Sequence, residues 1–417
     1  MENLVIGFHV LIIGLLSFLL WRKDRALIFW PALSIKLASG ILVGLLYQYY
    51  YSTGDTWTFF SDGVKVINAL VENPKYFFDF FWNDDVSAMG LTLENDRPRS
   101  LYIIKWVAVF NLLDGNNYWI TSLYFSFISF FSSWLLYKTL AHHFPDLKIE
   151  AAISVLFIPS IVFWGSGIIK ESLAIAALNA VTSCFISWYF TRSLSIFSIV
   201  VGLFSFWVLW NLKYYWTAVW LAVVFPSILI QLLTPRVSWV SRNPKWSWGL
   251  FLFVALAGIS IIHPNFYFDR ILTVIIDNHN AYLKISNPDD IIHFYDLHPT
   301  LFSMLLNSPW ALFSGMFRPF VTEAGTLLQL TAALENLILV VLFGMFLLRL
   351  RDLRQWNVLH LALVSYIFIL CVLLALSTPN FGSLSRFKIG LTPFLWFGLL
   401  SASGVLKRMV QRFKRVG

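Results

Sequence analysis

The sequence predicts an all-α fold: a polytopic membrane helix bundle of about eleven transmembrane helices. Three observations carry that expectation. Of the 417 residues, 58% are hydrophobic and only 12% are charged, roughly half the charged share of an ordinary soluble domain. Apolar runs long enough to carry a helix across a hydrocarbon core of about 30 Å recur from end to end. The runs are continuous, without alternation of apolar and polar residues, which excludes a membrane-spanning barrel.

Taken in order, the expected spans are 3–21, 26–49, 117–137, 149–164, 168–190, 194–211, 215–233, 247–263, 327–348, 356–377 and 388–406. The opening "MENLVIGFHVLIIGLLSFLLWRKDR" has no basic leader and no small-residue cleavage site, so it reads as the first span and not as a removable signal. The runs between 149 and 211 are short, as broken or re-entrant helices are. Every second connection is basic: "RKDR", "YKTLAHHFPDLK", "TRS", "TPRVSWVSRNPKW", "RLRDLRQW" and the tail "KRMVQRFKRVG". Placed in the cytoplasm, these segments hold more than half of the 30 Lys and Arg, with the N-terminus outside and the C-terminus cytoplasmic. The net charge of +8 then follows from topology, and no nucleic-acid partner is expected. Residues 1–417 read as a single membrane domain without repeats or a detachable soluble part.

Two long connections fall on the outer side, residues 50–116 and 264–326. Both carry amphipathic, aromatic stretches, as short interfacial helices capping a bundle do. Cys184 and Cys371 lie inside apolar runs and are expected to be packing residues, not a disulfide or a thiolate metal site.

An ionisable side chain in or near a span costs roughly 2.5–3.5 kcal/mol on insertion scales, so its position carries information. Most such residues collect on the outer side. Asp55, in "YYYSTGDTWTFFSDG", follows the second span; Lys170 and Glu171 follow the turn "WGSG". Arg318 and Glu323 stand in "MFRPFVTEAG", Arg386 and Lys388 in "STPNFGSLSRFKIG". Adjacent helical residues point about 100° apart, so Lys170 and Glu171 do not neutralise each other and each needs a partner elsewhere. A cation at a helix start is disfavoured by the macrodipole. A phosphate shared between Lys170 and the free N–H groups of "GSGII" would reverse that penalty. The plainer alternative has Glu171 complementing the dipole, the cations anchoring at headgroups and Asp55 capping a turn.

Deeper in the bilayer, Lys36 and Glu335 come out near mid-depth at about 1.5 Å per residue. They are expected to pair, directly or through Asn336 or Asn179. The histidines lack metal-ligand spacing, and no metal site is expected. The acids "NDD" at 83–85 and Asp289–Asp290 leave open a divalent cation held through oxygen, the one cofactor not set aside. No phosphate loop, dinucleotide fingerprint or nucleophile elbow is present.

An acid on the first large outer loop, with basic residues at outer span ends, resembles the GT-C class of polyprenyl-phosphate-dependent membrane glycosyltransferases. The stretches "IPSIVFWGSGIIKESL", "MFRPFVTEAG" with "AALENL", and "NFGSLSRFKIGLTPFL" look like segments of bacterial membrane proteins associated with surface-polysaccharide synthesis. The resemblance implies glycosyl transfer at the outer face of a bacterial cytoplasmic (inner) membrane, from a lipid-linked sugar donor to a glycan, lipid or protein acceptor. It gives Asp55 the role of base or acceptor-positioning group. Lys170, Arg318, Arg386 and Lys388 become donor-phosphate ligands, supported by Glu171, Glu323, Trp57 and Trp164. GT-C loops often carry adjacent acids, whereas Thr56 follows Asp55 here. Two alternatives stand beside this reading: a polysaccharide polymerase or ligase, and a lipid or glycan transporter. A transporter would show polar residues through the midplane and often internal symmetry.

Overall fold

A computed structural model describes residues 2–51, 54–262, 264, 267–349, 356–406 and 408. The described residues are 82% helical and contain no strand; an isolated antiparallel bridge joins Ile291 to Asn380. Seven helices among them are long and apolar enough to cross a membrane, which makes this a multi-pass membrane protein.

The first two helices, α1 (Glu2–Asp24) and α2 (Phe29–Tyr49), match the first two expected spans. Within the long connection 50–116 lie α3 (Asp55–Glu72), α4 (Tyr76–Phe81) and α5 (Pro98–Asp114). Next comes α6 (Tyr118–His143), then α7 (Lys148–Ala152), a π turn at 153–157, α8 (Pro159–Trp164) and α9 (Lys170–Thr191). The long α10 (Ile196–Leu233), short α11 (Ser238–Arg242) and α12 (Pro244–Ile262) lead to the long connection 264–326 with α13 (Phe268–Ile285) and α14 (Leu301–Phe317). The chain ends with α15 (Leu327–Leu347), α16 (Val358–Ser377), α17 (Phe381–Phe387) and α18 (Thr392–Ser403).

The expected count of eleven spans is not reproduced, and the departures have local causes. The run 149–164 is not one helix. Ile158 precedes Pro159 and adopts ψ 120, because proline clashes with a helical conformation of the residue before it. The runs 194–211 and 215–233 are joined as α10, whose only non-helical residue is Lys213 at φ −142, ψ 66. A straight helix of its 38 residues would be about 57 Å long, far more than one crossing needs, so the break at Lys213 divides it into two lengths near the expected pair. In place of a span from 388, α18 begins at Thr392, with Pro393 in its first turn.

The chain divides into two compact units interleaved along the sequence: Met1–Leu136, Ile161–Thr182 and Phe197–Tyr214 in the first, Tyr137–Ser160, Ser183–Ile196 and Tyr215–Gly417 in the second. In the first unit, α2 buries Lys36, Ser39, Gly40, Val43 and Gly44 on one stripe. Gly40 and Gly44 lie one turn apart and let α6 approach closely, as small residues do between membrane helices. A Cβ at Gly44 would stand 2.6 Å from the Tyr118 ring, and one at Gly40 would collide with Ser126 Oγ. In the same unit α3 and α5 pack together, with Gly63 of α3 against Val107.

In the second unit α14 packs on α16 and α15 on α18. Gly315 sits where a Cβ would come within 2.6 Å of Cys371 Sγ, and Gly390 where it would come within 2.5 Å of the Trp216 ring. Cys371 is buried and Cys184 half-buried, both as free thiols. The strongly amphipathic α13 lays Leu272, Ile275 and His279 on the protein and docks on α16, where His279 Nδ1 donates to the Leu376 carbonyl at 2.9 Å.

Burial pushes the His279 imidazole below its ordinary 6.5, and the nearby His293 adds to the depression, against the opposing effect of the Leu376 bond. With a depressed folded-state pKa, the stability from the neutral ring is complete above about 6.5 and is lost as the pH falls through the folded value. Hydrogen-exchange protection of residues 268–285, corrected for intrinsic rates, is therefore expected to drop between pH 8 and pH 5.5. His279→Asn, which keeps a donor without the titration, is expected to remove that pH dependence. An equal drop in both proteins would contradict it.

Candidate functional site

The first turn of α3 is the most site-like part of the first unit. Gly54, in extended conformation, precedes the helix, and Asp55 opens it, half-buried, where an acid complements the N-terminal dipole. The side chains that follow diverge. Thr56 is fully buried, with its hydroxyl 2.7 Å from Tyr118 Oη. Trp57 stacks on the Tyr118 ring at 3.7 Å and donates through Nε1 to the Gly44 carbonyl at 3.1 Å. Beside them opens a cleft of about 410 Å³ lined by Tyr47, Gln48, Tyr51, Trp57, Thr58 and Glu94.

Asp62, one face further along α3, is what brings Glu94 there. Its carboxylate is fully buried and accepts the Glu94 N–H and the Asn95 N–H, each at 3.1 Å, and the Lys65 ammonium at 3.1 Å. Asn95 Nδ2 also donates to Thr58 Oγ1 at 3.0 Å. Neither Asp62 nor Glu94 was singled out from the sequence. The available signal was an acid at position 62, on the same stripe as Phe59 and Val66.

Lys170 reaches the same helix. Its ammonium donates to Ser100 Oγ at 2.8 Å and sits 4.9 Å from the centre of the Phe59 ring. Phe59 lies one helical turn beyond Asp55, so the cation and the acid share one stripe of α3. Glu171, buried at 0% exposure, is bonded at 2.6 Å by Lys213 from the break in α10. The adjacent charges thus find separate partners, as their angular spacing requires.

The "GSGII" segment departs from expectation. Its irregular backbone at 165–169 is buried, and nearly all its N–H groups are used within the protein. Gly165 donates to Ile161, Ser166 to Phe163 and Ile169 to Gly167, while the Gly167 N–H goes to Ser126 Oγ at 3.0 Å. Ser166 Oγ returns a bond to Val162 at 2.6 Å, and Gly167 takes the left-handed φ of 75 that glycine tolerates. A shared anion at this loop is therefore not supported. Irregular backbone at membrane depth persists only when its polar groups are satisfied by protein or line a cavity, and here the protein satisfies them. Trp164 is also buried, at 8% exposure, and edge-on to Phe163, so it does not present a face for stacking.

Lys36 is 4% exposed and donates to the Ile161 and Val162 carbonyls at 3.3 and 3.4 Å, at the end of α8. It shares these acceptors with the Gly165 N–H and the Ser166 hydroxyl, which bond the same two carbonyls. Within the first unit these carbonyls are its partners, and Glu335 has its own within the second unit.

In the second unit Arg318, Glu323 and Lys388 come together. The Arg318 guanidinium is held on both oxygens of Glu323 and lies 4.9 Å from the centre of the Phe381 ring. Lys388, 5% exposed, donates to Asn336 Oδ1 at 2.8 Å and to the Arg318 carbonyl at 3.4 Å. Asn336 Nδ2 donates to the Pro319 carbonyl at 3.0 Å. Glu335 accepts the Ser160 N–H at 2.7 Å and its hydroxyl at 2.6 Å. Asn336 therefore bridges Lys388 and the Pro319 carbonyl. Arg386, half-buried on α17, lies against the Phe387 ring.

Three of the loop acids considered for a divalent cation have protein partners on their carboxylates. Asp84 pairs with Lys105 at 2.5 Å, Asp85 accepts from Ser87 and the Ala88 N–H, and Asp290 accepts from Gln329 at 2.8 Å. No group of three or more His, Cys, Asp or Glu is arranged to hold a metal among the described residues. Comparison with family models, curated proteins and solved structures finds no match to this chain.

Proposed function

We propose that this protein transfers a glycosyl group from a polyprenyl-phosphate-linked donor to a hydroxyl acceptor at the extracytoplasmic face of a bacterial cytoplasmic membrane, using the α3 cleft of the first unit. The observation that carries the reading is the cleft that reaches Gly54, the residue before Asp55, with Tyr47, Tyr51 and Trp57 for sugar faces and Gln48, Thr58 and Glu94 for hydroxyl groups. In this reading the bond from the anomeric carbon to the phosphate oxygen breaks as the bond to the acceptor oxygen forms. Asp55 takes the acceptor proton. Lys170 stabilises the charge that develops on the departing phosphate. The proposal rests on the first unit alone.

The test is transfer from radiolabelled polyprenyl-phosphate sugars by purified protein. Asp55→Asn is expected to lower turnover by about 100-fold or more, and Lys170→Ala to lower it as well. Unchanged turnover in both variants removes these residues from the reaction.

One observation favours a transporter instead. Buried polar side chains run along the first unit: Lys36, Ser122, Ser126, Ser129, Ser133 and Asn179 are all covered. Vesicles that move labelled lipid-linked sugar between leaflets without transfer, at equal rates for wild type and Asp55→Asn, would support transport over catalysis.

A further inference from the structure

The second unit carries a concave basic site that the glycosyl-transfer reading does not use. At the C-terminal ends of α9 and α10, a pocket of about 420 Å³ is lined by Trp188, Arg192, Gln231, Leu232, Pro235 and Arg236. It contains two guanidinium groups and no carboxylate. Arg192 lies 5.6 Å from the centre of the Trp188 ring, and Arg236 donates through Nη1 to the Leu232 carbonyl at 3.1 Å. Neither arginine forms an ion pair among the described residues.

The backbone gives a second, independent observation. Arg192 adopts φ 60, the left-handed conformation at which helices commonly end on glycine, and its N–H caps the Trp188 carbonyl at 2.8 Å. The fold thus holds an arginine where a side chain is a local disadvantage. A cation near a helix C-terminus complements the dipole, but that effect needs no pocket, no ring beneath the guanidinium and no second arginine.

The surroundings indicate the source of the anion. Phe190, Leu232, Val237 and Trp239 are exposed around the same helix ends at 43%, 44%, 38% and 48%. Both helices are apolar enough to cross a membrane. A guanidinium recognises phosphate oxygens through two parallel N–H bonds, and tryptophan favours the headgroup level. We infer that this pocket binds the phosphate of an anionic phospholipid headgroup, with the acyl chains lying along the exposed apolar side chains. The connections that bear Arg192 and Arg236 are the ones whose charge assigns them to the cytoplasmic leaflet, where anionic lipid attracts basic segments.

The experiment uses the full chain in mild detergent and counts retained lipid by native mass spectrometry. Phosphatidylglycerol, phosphatidylcholine and inorganic phosphate are titrated separately. Preferential retention of phosphatidylglycerol is expected, falling about tenfold in Arg192→Gly and in Arg236→Gln. Arg192→Gly is the informative variant, because glycine suits the left-handed cap: its thermal stability without lipid is expected to equal or exceed that of wild type. Arg242→Gln, on α11 outside the pocket, is expected to bind as wild type does. Equal retention of the two lipids, or unchanged retention in Arg192→Gly, overturns the inference. Displacement of phosphatidylglycerol by inorganic phosphate at similar concentration overturns the lipid as the source.

Discussion

Lys213→Met is expected to destabilise the protein by about 3–5 kcal/mol, because it removes the cationic partner of a buried carboxylate. Glu171 is completely buried and its partner nearly so, with side-chain exposures of 1% and 6% and 2.6 Å between charged atoms. In such a pair the attraction roughly offsets the desolvation of both groups, so the pair itself adds little net stability. Removing one member leaves the other's desolvation uncompensated. Glu171→Gln combined with Lys213→Met is accordingly expected to recover most of the loss. Reversible unfolding in mixed detergent micelles, run as a double-mutant cycle, measures the coupling. A double variant no more stable than Lys213→Met would show that the lysine acts through the break in α10 and not through its charge.

Lys388→Met is expected to have the second largest effect, about 3 kcal/mol by the same reasoning. The lysine is buried, its bonds go to an amide oxygen and a carbonyl, and the attractive charge upon it is Glu335, itself 8% exposed. Without the ammonium, Glu335 keeps its two bonds from Ser160 but loses its counter-charge. Glu335→Gln in the Lys388→Met background keeps an oxygen for Ser160 and is expected to restore stability. Asn336→Leu tests the other side, since it removes the 2.8 Å acceptor while leaving both charges in place. If Asn336→Leu is neutral and Lys388→Met costs nothing, the cluster carries no structural load.

The two cases separate what was legible from what was not. That Glu171 and Lys170 need different partners follows from helical geometry alone, and both have them. That the partner of Glu171 is Lys213, forty-two positions away, is written nowhere in the local pattern. The break in α10 was legible, because the expected spans 194–211 and 215–233 leave a gap that contains Lys213. The break at Ile158 falls inside the expected span 149–164, which stood out only as short, although the proline that follows is its local cause. Lys36 and Glu335 were correctly marked as costly buried charges. The sequence did not show their partners within each unit, main-chain carbonyls at a helix end for Lys36 and Ser160 for Glu335.

The same division holds at the cleft. Asp55 was legible as an acid just after a span, and Trp57 as an aromatic beside it. Glu94 was not, because it reaches the cleft through the grip of Asp62 on the backbone of residues 94 and 95. A phosphate nest at "GSGII" was a sound inference from a glycine-rich helix start. It failed because Ser126 and the preceding turn had already claimed the N–H groups.

By itself, the sequence determined that the chain is helical and embedded in a membrane, because transfer of apolar side chains and satisfaction of backbone polar groups depend on composition and run length. It also determined where charge would be costly. Only the tertiary structure decided which groups meet that cost together, since a buried charge is stabilised by whatever donor or acceptor packing brings within about 3 Å. Those neighbours come from helices far apart in sequence.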